Sequence, residues 1–222
     1  MLTIHADQAA PQAWRNGGGR TRELLARPTG ADWTLRVSLA DIDADGPFSA
    51  FAGVQRWFAV VQGAGVRLQF DDGERRLLPG GAPLCFDGAA APGCTLVAGP
   101  TRDLNLMVRG GTGAMRTVSA GQWWHEALTQ RGLFTLVAGR WQAASCGANG
   151  ANGAEGAEGA EGAERAEGVG SAGSAEGAEG LAIDEYVVAH TLLWDLGNAP
   201  CRFVPDGLGP CGWWLGWAEP PA

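Results

Sequence analysis

Short apolar runs that alternate with polar residues and stop at glycine constrain the fold of this chain more than any other feature. Trp33–Ile42, WTLRVSLADI, sends Trp33, Leu35, Val37 and Leu39 to one face and Thr34, Arg36, Ser38 and Ala40 to the other. That period of two belongs to a strand with unlike faces. Arg56–Phe70 is two apolar runs split by Gln62-Gly63-Ala64-Gly65, the pattern of a hairpin. A tight turn at Asp71-Asp72-Gly73 follows. RRLLPGGAPLCFDG then supplies two strands around Pro-Gly-Gly, and Cys94–Ala98 and Asp103–Arg109 flank Gly99-Pro100. The second half continues in the same manner with GLFTLVAGRWQA, EYVVAHTLLWDLG, CRFVPDG and CGWWLGWAE. Phe58–Leu68 and Leu133–Gln142 resemble each other, which is the mark of two related β units. Only Gln122–Gly132 has a helical look, and the expected class is all-β.

One stretch breaks the pattern. Residues 147–180 hold only Gly, Ala, Glu, Ser, Asn, one Val and one Arg, so burial cannot offset the entropy of ordering them. A disordered acidic insert within a domain is expected there, and such an insert adds little closure cost. It also explains the charge. The chain's net charge is −8, but the insert's seven Glu against one Arg leave only −2 for the rest. All 16 basic residues are arginine and they are scattered, so no stripe tracks a phosphate backbone, and nucleic acid is not an expected partner.

Several chemistries are excluded by residue type. Gly17-Gly18-Gly19 lies in AWRNGGGRTRELL, but without lysine it cannot be a Walker loop, and without a βαβ setting it is no dinucleotide fingerprint. His5, His125 and His190 form no metal-binding spacing, and His190 reads as a structural residue within an apolar strand. No GxSxG is present. The five cysteines lack CxxC spacing, and Cys85, Cys94 and Cys201 read as small core residues. Neither a leader pattern nor an apolar run long enough for a membrane span occurs, so a cytoplasmic location with no membrane partner is expected.

Polar residues on apolar strands are the positive signal. Arg36 and Ser38 share one face of their strand, and Asp103 and Asn105 share a face of theirs. Arginine inside a β-barrel needs a partner, and a small carboxylate fits its fork. The competing reading makes both rows the solvent face of an antiparallel sheet.

The fragments WRNGGGRTRELL, WTLRVSLADIDADGPFSAFAGVQR and DLNLMVR together resemble the HutD/Ves family in order and spacing. The matching positions are Trp14-Arg15-Asn16, Gly19, Thr21, Arg22-Glu23, Arg36, Ser38, Ala40, Gly46, Phe48-Ser49, Phe51, Gly53, Arg56, Asp103, Asn105 and Met107. The resemblance covers residues 1–143 and, more loosely, 181–217. It implies cupin-type β-barrels in a bicupin arrangement, with units at 1–115 and 116–222 and the insert interrupting the second. It further implies an association with histidine utilisation or with a stress response, and no secure enzymatic activity.

The expected function is that of a metal-free binding protein for a small anionic metabolite of the urocanate or formiminoglutamate class, without a cofactor. Candidate ligand-binding residues are Arg15, Asn16, Arg36, Ser38, Arg56, Asp103 and Asn105. In this scheme Arg36 clamps the carboxylate, Asn105 and Ser38 orient it, and Arg15 and Asn16 close the mouth. Asp103 may be read instead as a neutraliser of Arg36. Two other schemes remain open: a metal-independent isomerase or epimerase with Asp103 as base, and an interaction module using the acidic insert or exposed tryptophans. A homodimer is compatible with each.

Overall fold

The computed structural model describes residues 1–145 and 181–220. The expected insert at 147–180 therefore lies outside the described residues. The remainder is β-sheet with two single-turn 3-10 segments at Ala6–Gln8 and Gly88–Ala90. Strands in chain order are β1 (Leu2–His5), β2 (Pro11–Ala13), β3 (Gly19–Arg27), β4 (Leu35–Ile42), β5 (Gly46–Pro47), β6 (Gln55–Gln62), β7 (Val66–Phe70), β8 (Gly73–Leu77), β9 (Leu84–Asp87), β10 (Gly93–Leu96) and β11 (Thr101–Val108). They continue with β12 (Thr112–Thr117), β13 (Gln130–Thr135), β14 (Gly139–Ala144), β15 (Leu181–Val187), β16 (Thr191–Trp194), β17 (Cys201–Pro205) and β18 (Gly212–Ala218).

These strands build four antiparallel sheets, ordered β2-β3-β4-β11-β6-β9, β5-β10-β7-β8, β1-β16-β13-β18-β12 and β15-β14-β17. The first two come wholly from residues 11–108. In the third, the N-terminal strand β1 crosses over to pair with β16, with Leu2 opposite Trp194. Alternation in sequence becomes two packed faces in space. Leu35, Val37 and Leu39 of β4 and Leu104, Leu106 and Val108 of β11 join Phe134, Leu192, Trp194, Trp213 and Leu215 in one core. The six-stranded sheet is thus packed back to back against the five-stranded one.

The opposite face of the six-stranded sheet meets the four-stranded sheet. Ile42, Phe58 and Val60 pack there on Val66, Leu68 and Cys94. On the other side of the molecule, Leu133, Leu193 and Trp214 pack on Trp141, Val187 and Phe203 of the three-stranded sheet.

The predicted hairpin at Arg56–Phe70 is corrected. Both runs are strands, but β6 pairs with β11 and β9, whereas β7 pairs with β10 and β8. The glycine turn carries the chain from one facing sheet to the other. It does so in close quarters, because a Cβ on Gly63 would lie 2.6 Å from the Pro100 carbonyl oxygen, at φ +102°. The β13–β14 connection makes the same sheet-to-sheet crossing, which is the structural content of the similarity between Phe58–Leu68 and Leu133–Gln142.

The short helix predicted over Gln122–Gly132 is likewise absent. Trp124 exchanges backbone hydrogen bonds with Cys201 and stacks on Trp214 at 4.8 Å, and β13 already begins at Gln130. Tertiary contacts of one aromatic ring override a weak local propensity. Cys85 is not a core residue. It lies on the edge strand β9, where the alternation turns it outward with Asp87, while Cys94 and Cys201 are buried as expected. His190 sits in the turn before β16 at φ +55°, outside any strand. Among the described residues no helix is long and apolar enough to cross a membrane.

Candidate functional site

The two sheet pairs differ in what lies between their sheets. Bulky side chains fill the second pair: Trp141 and Phe203 are fully buried, and the Arg131 guanidinium stacks on Trp124 at 4.2 Å while donating to the carbonyls of Gly197, Ala199 and Trp124. The first pair instead encloses a cavity of about 470 Å3. This size suits a small metabolite.

The cavity wall follows from strand register. Around the central strand β11, Asp103 lies opposite Ala40 of β4 and Val60 of β6; Asn105 opposite Ser38 and Phe58; and Met107 opposite Arg36 and Arg56. Alternation sends this whole row to one face, and the partner row of Leu104, Leu106 and Val108 to the core behind it. The hairpin loop between β2 and β3 brings in Trp14, Arg15 and Asn16. Its tight shape depends on Gly19, whose Cβ would stand 2.2 Å from the Asp41 carbonyl oxygen and 3.1 Å from the Trp14 ring. Trp14 Nε1 donates to Thr21 Oγ1 at 2.8 Å, fixing the ring in the wall. Pro47, Phe48 and Phe51 complete the apolar side.

All seven sequence-predicted residues, Arg15, Asn16, Arg36, Ser38, Arg56, Asp103 and Asn105, line this one cavity. The solvent-face reading of the two strand rows fails, since Ser38, Asp103 and Asn105 are each 3% exposed or less. The structure reassigns their parts. Arg36 Nε is bonded to Glu23 Oε2 at 2.9 Å, so its charge already has a partner on β3. Asp103 is not that partner. Its Oδ1 accepts from Asn105 Nδ2 at 2.5 Å, and Asn105 Oδ1 accepts from Arg56 Nε at 2.8 Å. A relay Arg56–Asn105–Asp103 therefore runs along the wall.

The sequence makes Arg56 a candidate ligand-binding residue only through the family pattern, with no specific part in the scheme. A period-two reading does place it on the face of Phe58 and Val60, which was the available signal. Its guanidinium lies 4.4 Å from the Phe48 ring, with Phe58 and Phe86 next to it. Aromatic faces and the Asn105 bond hold the fork in one orientation. Burial draws its pKa down to about 10, against the opposing pull of Asp103 and Cys94, so it remains cationic at neutral pH.

Asp103 is the electrostatic counterpart. Burial raises its carboxyl to about 7, despite the Arg56 charge and the Asn105 hydrogen bond, which favour the ionised form. Its Oδ2 is buried and has no hydrogen-bond partner among the described residues. Among the described residues no group of His, Cys, Asp and Glu is placed to hold a metal ion.

The HutD family model matches residues 6–162, which takes in every strand of the cavity. The chain belongs to the HutD family. Among curated relatives, an uncharacterized 21.2 kDa protein in the hutC 3' region of Pseudomonas putida is 43% identical over 48% of this chain. That match spans 57% of the relative's own length. Protein Ves of Citrobacter koseri is 31% identical over 58% of the chain and 69% of its own length. The solved structure of HutD from Pseudomonas fluorescens SBW25, described for a formate condition, superposes with a TM-score of 0.68 at 25% identity, covering 97% of this chain and 98% of that one. The fold alone extends further, to Ylba of E. coli, with a TM-score of 0.59 at 8% identity over 96% and 88% of the two chains. The HutD-family chain described here is therefore nearly all-β, and these solved structures share its fold.

Proposed function

We propose that this HutD-family chain binds a small carboxylate in the cavity of its first sheet pair and thereby tunes a metabolic response, with histidine utilisation the leading context. The observation that carries the reading is Arg56. It is a fixed, buried cation that, among the described residues, hydrogen-bonds through Nε alone, and aromatic rings and hydrogen-bonding groups surround it. A carboxylate would satisfy its two terminal nitrogens as a forked pair. Ser38 and Ser49 offer hydroxyls beside it, and Arg15 and Asn16 stand at the loop side of the opening.

Urocanate and formiminoglutamate are the first ligand class to test. The hutC-region relative and the HutD structure support the pathway context. We further read the architecture as a bicupin divided near residue 115, with β1 exchanged into the second unit's sheet. The repeated sheet-to-sheet crossings at β6–β7 and β13–β14 support it.

A thermal-shift series with small carboxylates is expected to raise Tm in proportion to ligand concentration, with urocanate or formiminoglutamate among the strongest. Absence of stabilisation or binding heat across the whole series would remove the carboxylate reading.

A further inference from the structure

We propose that Asp103, joined to Arg56 through Asn105, becomes neutral when a carboxylate binds Arg56, so that the cavity takes up a proton with each carboxylate it binds. The inference rests on the carboxylate reading above and adds the charge state and role of one residue within it.

Charge balance in a dry site requires something of this kind. Empty, the cavity holds Arg56 as a cation with Asp103 linked to it through Asn105, so an ionised Asp103 leaves the pair neutral. An entering carboxylate displaces water and adds a second anion beside a single unmatched cation. Unpaired buried anions are costly, and the favoured escape is to neutralise one of them. The ligand is held by Arg56, whereas Asp103 has an oxygen with no partner among the described residues. A proton from bulk solvent therefore goes to Asp103, and Arg56 is left to the ligand as its counter-ion.

Among the described residues, the groups on the neighbouring strands are otherwise occupied, and Arg15 stands exposed at the mouth. On β4, Arg36 is held by Glu23, and Asp41 is occupied by arginines on the far face of the sheet. On β10, burial pushes the Cys94 thiol up to about 12, and Asp45 is engaged with the backbone of Leu96. Arg56 on β6 stays cationic through the neutral range. Asp103, close to 7, is already poised to take the proton.

The test uses the whole protein with acetate and benzoate as probes. Their affinity is expected to be flat below about pH 7 and to fall about tenfold per pH unit above it, as required for uptake of a single proton. Mixing in unbuffered solution at about pH 8 should turn the solution more alkaline as the complex forms. Asp103→Asn keeps the shape and the Asn105 contact but carries no titrating proton, so its binding should lose the pH slope. Wild-type binding that is pH-independent, with no alkalinisation, overturns the proposal while leaving the carboxylate site intact. Failure of both probes to bind at any pH removes the site itself. The pH-stat measurement needs no variant, so it decides the matter even if Asp103→Asn does not fold.

Discussion

Arg56→Ala is expected to weaken carboxylate binding about thirty- to three-thousandfold, the consequence of removing one partner of a desolvated charge contact worth about 2–5 kcal/mol. Arg36→Ala should cost less than about fivefold, because its guanidinium is already held by Glu23 at the cavity edge. Arg56→Lys should fall between the two. It keeps the charge but loses the fork and the stacking over Phe48. The fold should tolerate the alanine change. Without Arg56, Asp103 keeps only the Asn105 hydrogen bond in favour of its charge, and burial then favours the neutral carboxyl. Calorimetric titration of the three variants with one carboxylate checks the order. An Arg36→Ala loss larger than the Arg56→Ala loss would return the clamp to the residue favoured by pattern alone.

That contrast shows where the sequence stops being informative. Alternation in Trp33–Ile42 and Asp103–Arg109 is enough to place Arg36, Ser38, Asp103 and Asn105 on common faces, because side-chain direction in a strand is a matter of parity. All four line the cavity for that reason. Which arginine is free is a matter of cross-strand partners, and those depend on register. Glu23 reaches Arg36 diagonally because it pairs with Ser38, which puts it on Arg36's face, and no local pattern announces that pairing. The Gln62–Gly65 turn shows the same limit. Its glycines mark a reversal, but a reversal within one sheet and a crossing to the facing sheet look alike in sequence.

The filled second sheet pair was also illegible. Trp124 appeared in a stretch with a helical look, and only the completed fold shows it sandwiched between Trp214 and Arg131. Two sheet pairs with unlike interiors, one open and one plugged, follow from side-chain volume at non-local contacts rather than from strand pattern.

Stability should depend most on an acid that is not in the cavity. Asp41, on the back face of β4, accepts from Arg20 Nε at 2.8 Å, Arg22 Nη1 at 2.5 Å and Arg102 Nε at 2.6 Å, and its side chain is only 10% exposed. Arg102 also reaches Asp7, just beyond β1, at 3.3 Å, so the cluster connects the six-stranded sheet to the N-terminal segment. Burial opposes the Asp41 charge, but the three arginine hydrogen bonds outweigh it and hold the carboxyl well below the usual range. Asp41→Ala removes the common acceptor of three cations and leaves Arg102 with Asp7 alone, while Arg22 already has a buried Nε without a partner among the described residues. A loss of about 3 kcal/mol is expected at neutral pH, the lower end for breaking a buried pair because Arg20 is half-exposed. That corresponds to a fall in Tm of about 6–12 °C for a chain of this size. The sign of the pH dependence follows from the depressed folded-state pKa. The stabilisation is complete above the unfolded-state value of about 3.9 and is lost as pH drops through the lower folded-state value. Denaturant titrations of wild type and Asp41→Ala should therefore differ clearly at about pH 7 and converge in strong acid. Equal stability at neutral pH, or a gap that persists undiminished in acid, would show that the arginines around Asp41 are surface charges without a structural role.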